Sequence, residues 1–263
     1  MPTILEPTVV ATFRVIIGAI SLWMICIVTK ISFDAVFELP LWRILGTGIA
    51  IASYNLFFFS GVAYAGVGVG TAITLGSGPF WVLVFEILFT AQRPSAQGIL
   101  GQLTAIVGLV ILVGGNTHGQ EAYRGYGLAL LAGMAYGAYV YLTRGFRVEI
   151  NSALIAAATF SVSSILLFPS LILLPPVWID FRSTALLLFL GLVSTGVAFL
   201  LFTFGLKRMA ASTAVTLALA EPLTAWFLAT VVLNEPVTIS KLIGVGMLVC
   251  GIRIVAGELK SSS

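Results

Sequence analysis

Glu221 and Pro222 stand side by side in VTLALAEPLTAW (Val215–Trp226), near the middle of an apolar run. The run extends from about Ala210 to Leu233, long enough to cross a bilayer. A carboxylate at that depth is costly, and ionisable residues inside membrane segments mark substrate or proton pathways by default. Glu221 can bind a substrate amine or take up a proton. Its plainer use is as a protonated carboxyl bonded to a free backbone carbonyl. Pro222 would supply that carbonyl, because proline lacks an N–H and crowds the carbonyl four residues back. Irregular backbone at membrane depth is tolerated only where it is buried in protein or lines a watery cavity. The pair therefore predicts the edge of a polar pocket near the bilayer midplane.

Other residues suit the same pocket. Arg14 lies a few residues outward from the centre of the first apolar run. Its rigid fork can hold a substrate carboxylate, or it can snorkel outward or tie helices together through backbone carbonyls. Pro79 is a second mid-run proline, and with Gly76 and Gly78 it makes the third run the more breakable helix. Trp81 and Trp226 follow the two prolines. With Tyr54, Tyr136 and Tyr139 they can wall a cavity for an apolar or cationic ligand, or simply pack helices. Glu86 is expected to be solvated at a cytoplasmic helix end. Gly133 and Gly137 form a GxxxG pair suited to close helix approach.

Several chemistries are excluded or unsupported. His118 is the single histidine, so a two-histidine metal site and HExxH are ruled out. The glycines of Gly66–Gly70 have neither the spacing nor the preceding strand of a dinucleotide loop. No paired intramembrane aspartates and no nucleophile with its base are visible, so an intramembrane enzyme has no recognisable machinery and no cofactor is expected. A membrane partner without transport activity is the other alternative.

These residues need membrane helices to position them. The chain is 59% hydrophobic and 9% charged, against about 25% charged in soluble domains. An all-α polytopic membrane protein embedded in a lipid bilayer follows, with loops too short for a soluble domain. The net charge of +3 is scattered singly and makes no nucleic-acid surface. Cys26 and Cys250 sit in apolar runs and read as reduced filler, not a disulfide. Met1–Glu6 lacks the basic start of a cleaved signal.

Nine apolar spans are legible: Thr8–Thr29, Leu41–Ala63, Val67–Phe89, Ala96–Gly114, Gly125–Thr143, Ser152–Leu174, Thr184–Leu206, Ala210–Leu233 and Ile239–Gly257. Tyr64-Ala65-Gly66 is the weakest boundary, having no charge; a single hydrophobic hairpin is the alternative there. Nine of the thirteen Lys and Arg residues fall on the side of the odd-numbered connections, four on the other. That bias places the C-terminus in the cytoplasm. Trp42 and Trp178 fall at span ends, where interfacial aromatics belong.

The spans repeat. GTAITLGSGPFWVLVFEILFTAQRP matches STAVTLALAEPLTAWFLATVVLNEP, aligning Pro79 with Pro222 and Pro94 with Pro236. Gly101 and Gly108 in the fourth span match Gly244 and Gly251 in the ninth, seven apart in each. FFFSG (Phe57–Gly61) precedes the third span and FTFG (Phe202–Gly205) the eighth. Matching spans are five apart, an odd offset, so they cross the membrane in opposite directions. Such inverted repeats place substrate near the midplane between the halves. Residues 1–118 would form the first repeat with four helices, and residues 119–263 the second with five.

PTVVATFR (Pro7–Arg14), ALLAGMAYGAYVYLTR (Ala129–Arg144), and ALAEPLTAW (Ala218–Trp226) followed by LNEPVT (Leu233–Thr238) together resemble the drug/metabolite transporter superfamily, in its EamA-type members. They resemble, in order, the entry to the family's second helix, its sixth, and its ninth with the following loop. The resemblance implies an inverted repeat of five-helix bundles, ten helices in all, of which this sequence shows nine (4+5) and lacks the first. It further implies a central cavity and export or uptake of small metabolites such as amino acids across the cell membrane. No ATP-binding loop is present, so the driving force would be an ion gradient, such as that of H+, or the substrate's own gradient.

Overall fold

The computed structural model describes residues 6–90, 95–113, 120–173, 181–232 and 237–261. Nearly all of these are helical and none is in a strand. Nine stretches among them are long and apolar enough to cross a membrane, at the positions the hydropathy predicts. Pro94, His118, Trp178, Pro236 and the boundary between residues 118 and 119 lie outside the described residues.

The first three spans are single helices: α1 (Pro7–Val28), α2 (Leu41–Ala65) and α3 (Val67–Thr90). Pro7 sits in the first turn of α1, where a missing N–H costs nothing. α2 and α3 are separated by Gly66 alone, at φ 81°, so the weak boundary is a break between two helices. A left-handed residue is what glycine adopts without strain. There follow α4 (Ala96–Val113), α5 (Gln120–Arg144) and α6 (Ser152–Leu167). Asn151 caps α6, accepting from the Ala153 N–H at 2.8 Å.

Two later spans are irregular. The seventh runs as α7 (Phe181–Gly191), a π-helical turn at Leu192–Val197, and α8 (Ala198–Leu206). The eighth is broken into α9 (Ala211–Ala218) and α10 (Ala220–Val232). The last helix is α11 (Ile239–Ser261).

The chain forms two compact units, and each combines two separate stretches of the sequence: Met1–Ser60 with Leu142–Arg208, and Gly61–Tyr141 with Met209–Ser263. In the first unit α6 is central, with every residue from Ser152 to Phe160 buried. Hydroxyls clasp it to its neighbours. Thr47 of α2 meets Thr159 at 2.9 Å, and Trp23 of α1 donates its indole N–H to Ser161 at 2.9 Å. In an apolar environment such pairs replace hydrophobic association as the glue between helices. Buried Lys207, just past α8, donates to the Ile150 carbonyl and ties down the connection before α6. Burial pushes its pKa below the ordinary lysine value, helped by Arg208 and opposed by Glu149.

In the second unit α4 and α11 pack most closely. A Cβ added at Gly244 would lie 2.6 Å from the Leu112 nitrogen, and one at Gly101 2.7 Å from a Val255 methyl. Gly108 and Gly251 are equally closed, against the backbones at Leu248 and Ala105. The glycines matched by the repeat thus face one another, Gly101 with Gly251 and Gly108 with Gly244. Buried Leu75, Ala105, Leu109, Leu219 and Leu248 form the core alongside.

Candidate functional site

The two mid-span prolines behave differently. α9 ends at Ala218, the residue whose carbonyl the Pro222 ring would crowd. Leu219 closes it with a tight turn, its N–H donating to the Thr216 carbonyl at 3.1 Å. The break moves Pro222 into the first turn of α10, where its missing N–H leaves no gap in the ladder. α3, by contrast, continues unbroken through Pro79. The expectation that Gly76, Gly78 and Pro79 make the third span the more breakable is therefore corrected: the eighth span breaks. The reason is packing across Pro79. α5 presents Gly133 to Thr74 and Ser77, and Gly137 to Trp81 and Val82, with no side chain to hold the backbones apart. The Thr74 hydroxyl bonds the Ala129 carbonyl at 3.1 Å and completes the clamp.

Around the break, the first half is more deeply buried than the second. Ala211 through Thr216 are all buried. In α10, Glu221, Thr224, Ala225, Phe227 and Leu228 are exposed. Leu223 and Trp226 rest against the core beside Leu219. Glu221 lies in the first turn of α10, where the positive end of the helix dipole favours a carboxylate. A second carboxylate supports the other half. Glu86 of α3 accepts from the Ser212 N–H at 3.4 Å, at the start of α9, which has no side-chain cap of its own. Glu86 is thus a cap for a neighbouring helix and not a solvated end charge.

The aromatic candidates divide. Trp81 and Trp226 are half-buried, and each indole N–H is buried without an acceptor. Leaving such a donor unpaired costs about 1–3 kcal/mol, so each indole is a donor that a ligand or water could satisfy. Tyr136 packs its ring on Gly78. Tyr139 is 1% exposed, buried within its unit.

Arg14 and Tyr54 belong to the first unit. Arg14 Nη2 donates to Asn55 Oδ1 at 2.8 Å, and its guanidinium lies 5.5 Å from the centre of the Phe59 ring. Asn55 in turn donates Nδ2 to the Ile51 carbonyl at 2.8 Å. Arg14 Nε is buried without an acceptor, and no carboxylate among the described residues pairs with this arginine. Tyr54, next to Asn55 on α2, stacks on Phe58 at 5.5 Å. Asn55 was missed by the sequence reading, though a lone amide within an apolar span was a visible signal. The π-helical turn was also missed. α1 packs on it through Gly18, where a Cβ would lie 2.6 Å from a Thr195 methyl. Thr195 itself donates to the Leu190 carbonyl at 2.9 Å.

Residues 123–257 match the model of the EamA-like transporter family. An uncharacterized transporter of Bacillus subtilis strain 168, YwfM, is 28% identical over 97% of this chain and 86% of its own length. An uncharacterized transporter of Archaeoglobus fulgidus is 26% identical over 95% of this chain and 89% of its own. A protein of known crystal structure superposes with a TM-score of 0.83 over 98% of this chain and 90% of that one; at 19% identity this shows a shared fold. With a matching family model over half its length and relatives that align nearly end to end, the chain belongs to the EamA-like transporter family.

Proposed function

We propose that this protein is a secondary transporter, not an enzyme, and that it exports a small organic metabolite such as an amino acid across the cell membrane by alternating access around a midplane cavity. The break in the eighth span carries the reading. It gives a buried first half, a more exposed second half and a carboxylate at the hinge between them. Broken helices at the midplane are how many transporters expose backbone and charge to solute. Family membership and relatives named as transporters support the same conclusion. Glu221 is the residue proposed to exchange a proton, or to meet a substrate amine, as α10 moves. The C-terminus lies in the cytoplasm.

The test is flux of labelled amino acids by the purified protein in proteoliposomes, across a range of pH and with an imposed proton gradient. Glu221→Gln is expected to lower flux and flatten its pH dependence while leaving the melting temperature in detergent unchanged. Equal flux at every pH would remove Glu221 from the mechanism. No flux of any solute by the unaltered protein would overturn the transport reading.

A further inference from the structure

We infer that Arg14 is an anion-binding subsite that receives the carboxylate of the transported solute. The inference rests on the transport reading and names its substrate class: carboxylic acids, amino acids among them.

The geometry of Arg14 orients a charge without neutralising it. The backbone of α1 is fixed here, with the Arg14 carbonyl 3.4 Å from where a Cβ of Gly191 would stand. The side chain reaches α2, where the Asn55 oxygen holds one arm of the fork. The amide has a single consistent orientation, because its NH2 is spent on the Ile51 carbonyl. Phe59 presents a ring to the cation. These contacts restrict the guanidinium, and none of them carries a formal negative charge. Nε stays buried without an acceptor.

A bridge built only to join α1 and α2 would do better with aspartate at residue 55, which differs from asparagine by one oxygen for one NH2. A buried charge left without a counter-ion is strongly disfavoured. The chain supplies an amide instead, leaving the charge and most of the donors available. Planar donor pairs on a guanidinium fit the two oxygens of a carboxylate. The phosphate of a lipid headgroup is the other source of such oxygens. A solute carboxylate is favoured because Arg14 is eight residues into α1, counted from Pro7, and is held by the buried side chain of Asn55 rather than extended toward the helix end.

Asn55→Asp gives the discriminating variant, since it supplies a counter-ion from the protein and keeps the link between helices. The probes are leucine against leucinamide and benzoate against benzamide. The readouts are melting temperature in detergent and flux or competition in proteoliposomes, made with and without phosphatidylglycerol. The unaltered protein is expected to prefer the acid of each pair by about ten-fold in half-saturating concentration. Asn55→Asp is expected to melt at the same temperature or higher, yet to treat acid and amide alike to within about two-fold. Retention of the acid preference in Asn55→Asp would overturn the assignment. So would stabilisation of the unaltered protein by phosphatidylglycerol with none by the acids. Flux of acid and amide at equal rates would overturn it and leave the transport reading standing. Neither flux nor stabilisation by any probe would remove both.

Discussion

Lys30 is the one non-glycine among the described residues with a left-handed backbone, at φ 55°. It ends α1 in a Schellman motif: the Lys30 N–H donates to the Ile27 carbonyl at 3.0 Å, and the Ile31 N–H to the Cys26 carbonyl at 2.9 Å. Glycine fills this position in most such motifs, since a Cβ there crowds the backbone. Lys30→Gly is therefore expected to raise stability by about 1 kcal/mol, read as a higher melting temperature in detergent. A lower one would mean that the lysine side chain contributes more than the backbone strain removes. The prolines show how far single residues can be read from sequence. Pro222 was legible as a helix breaker, and the break falls where its ring geometry requires. That Pro79 would not break α3 was not legible, because the restraint comes from Gly133 and Gly137 on α5, more than fifty residues along. Glu86 was misread for the same reason: its partner, the Ser212 N–H, is remote in sequence.

Hydropathy located the spans well, because a bilayer core demands about 20 apolar residues wherever a helix crosses it. The π-helical turn at Leu192–Val197 left no such signature, since Thr195 satisfies the irregular backbone through its own hydroxyl. The glycines of α4 and α11 were visible as a seven-residue spacing, but spacing could not tell that the two matched helices are each other's partners. Close approach of these backbones gives a test with opposite signs on one helix. Gly244 faces the Leu112 backbone at 2.6 Å, whereas a Cβ at Gly246 meets nothing within 4 Å. Gly244→Ala should force α4 and α11 apart and cost about 1–3 kcal/mol. Gly246→Ala should be neutral or stabilising by up to about 1 kcal/mol, from helix propensity. Melting temperatures of both variants check this; a loss at Gly246 equal to that at Gly244 would show that the pairing does not depend on the glycine face.

At the scale of the whole molecule, the compact units do not follow the order of the chain. Each gathers two stretches distant in sequence, as α1 with α6 in one and α4 with α11 in the other. Sequence similarity finds what is repeated, and packing decides what folds together; the two need not coincide. Orientation in the membrane is a further property of the whole chain, because it depends on charge summed over all its connections. Nine Lys and Arg residues fall on one side and four on the other. One of the four, Arg14, lies within α1 and is engaged by Asn55, which leaves three to oppose the nine. The bias therefore predicts the turn after α1 inside the cell and the start of α5 outside. Asp34 and Tyr123 report these two positions, and both are exposed. In a background with Cys26 and Cys250 replaced by alanine, Tyr123→Cys should react with a membrane-impermeant maleimide on intact cells. Asp34→Cys should react only after permeabilisation. The opposite pattern would invert the chain.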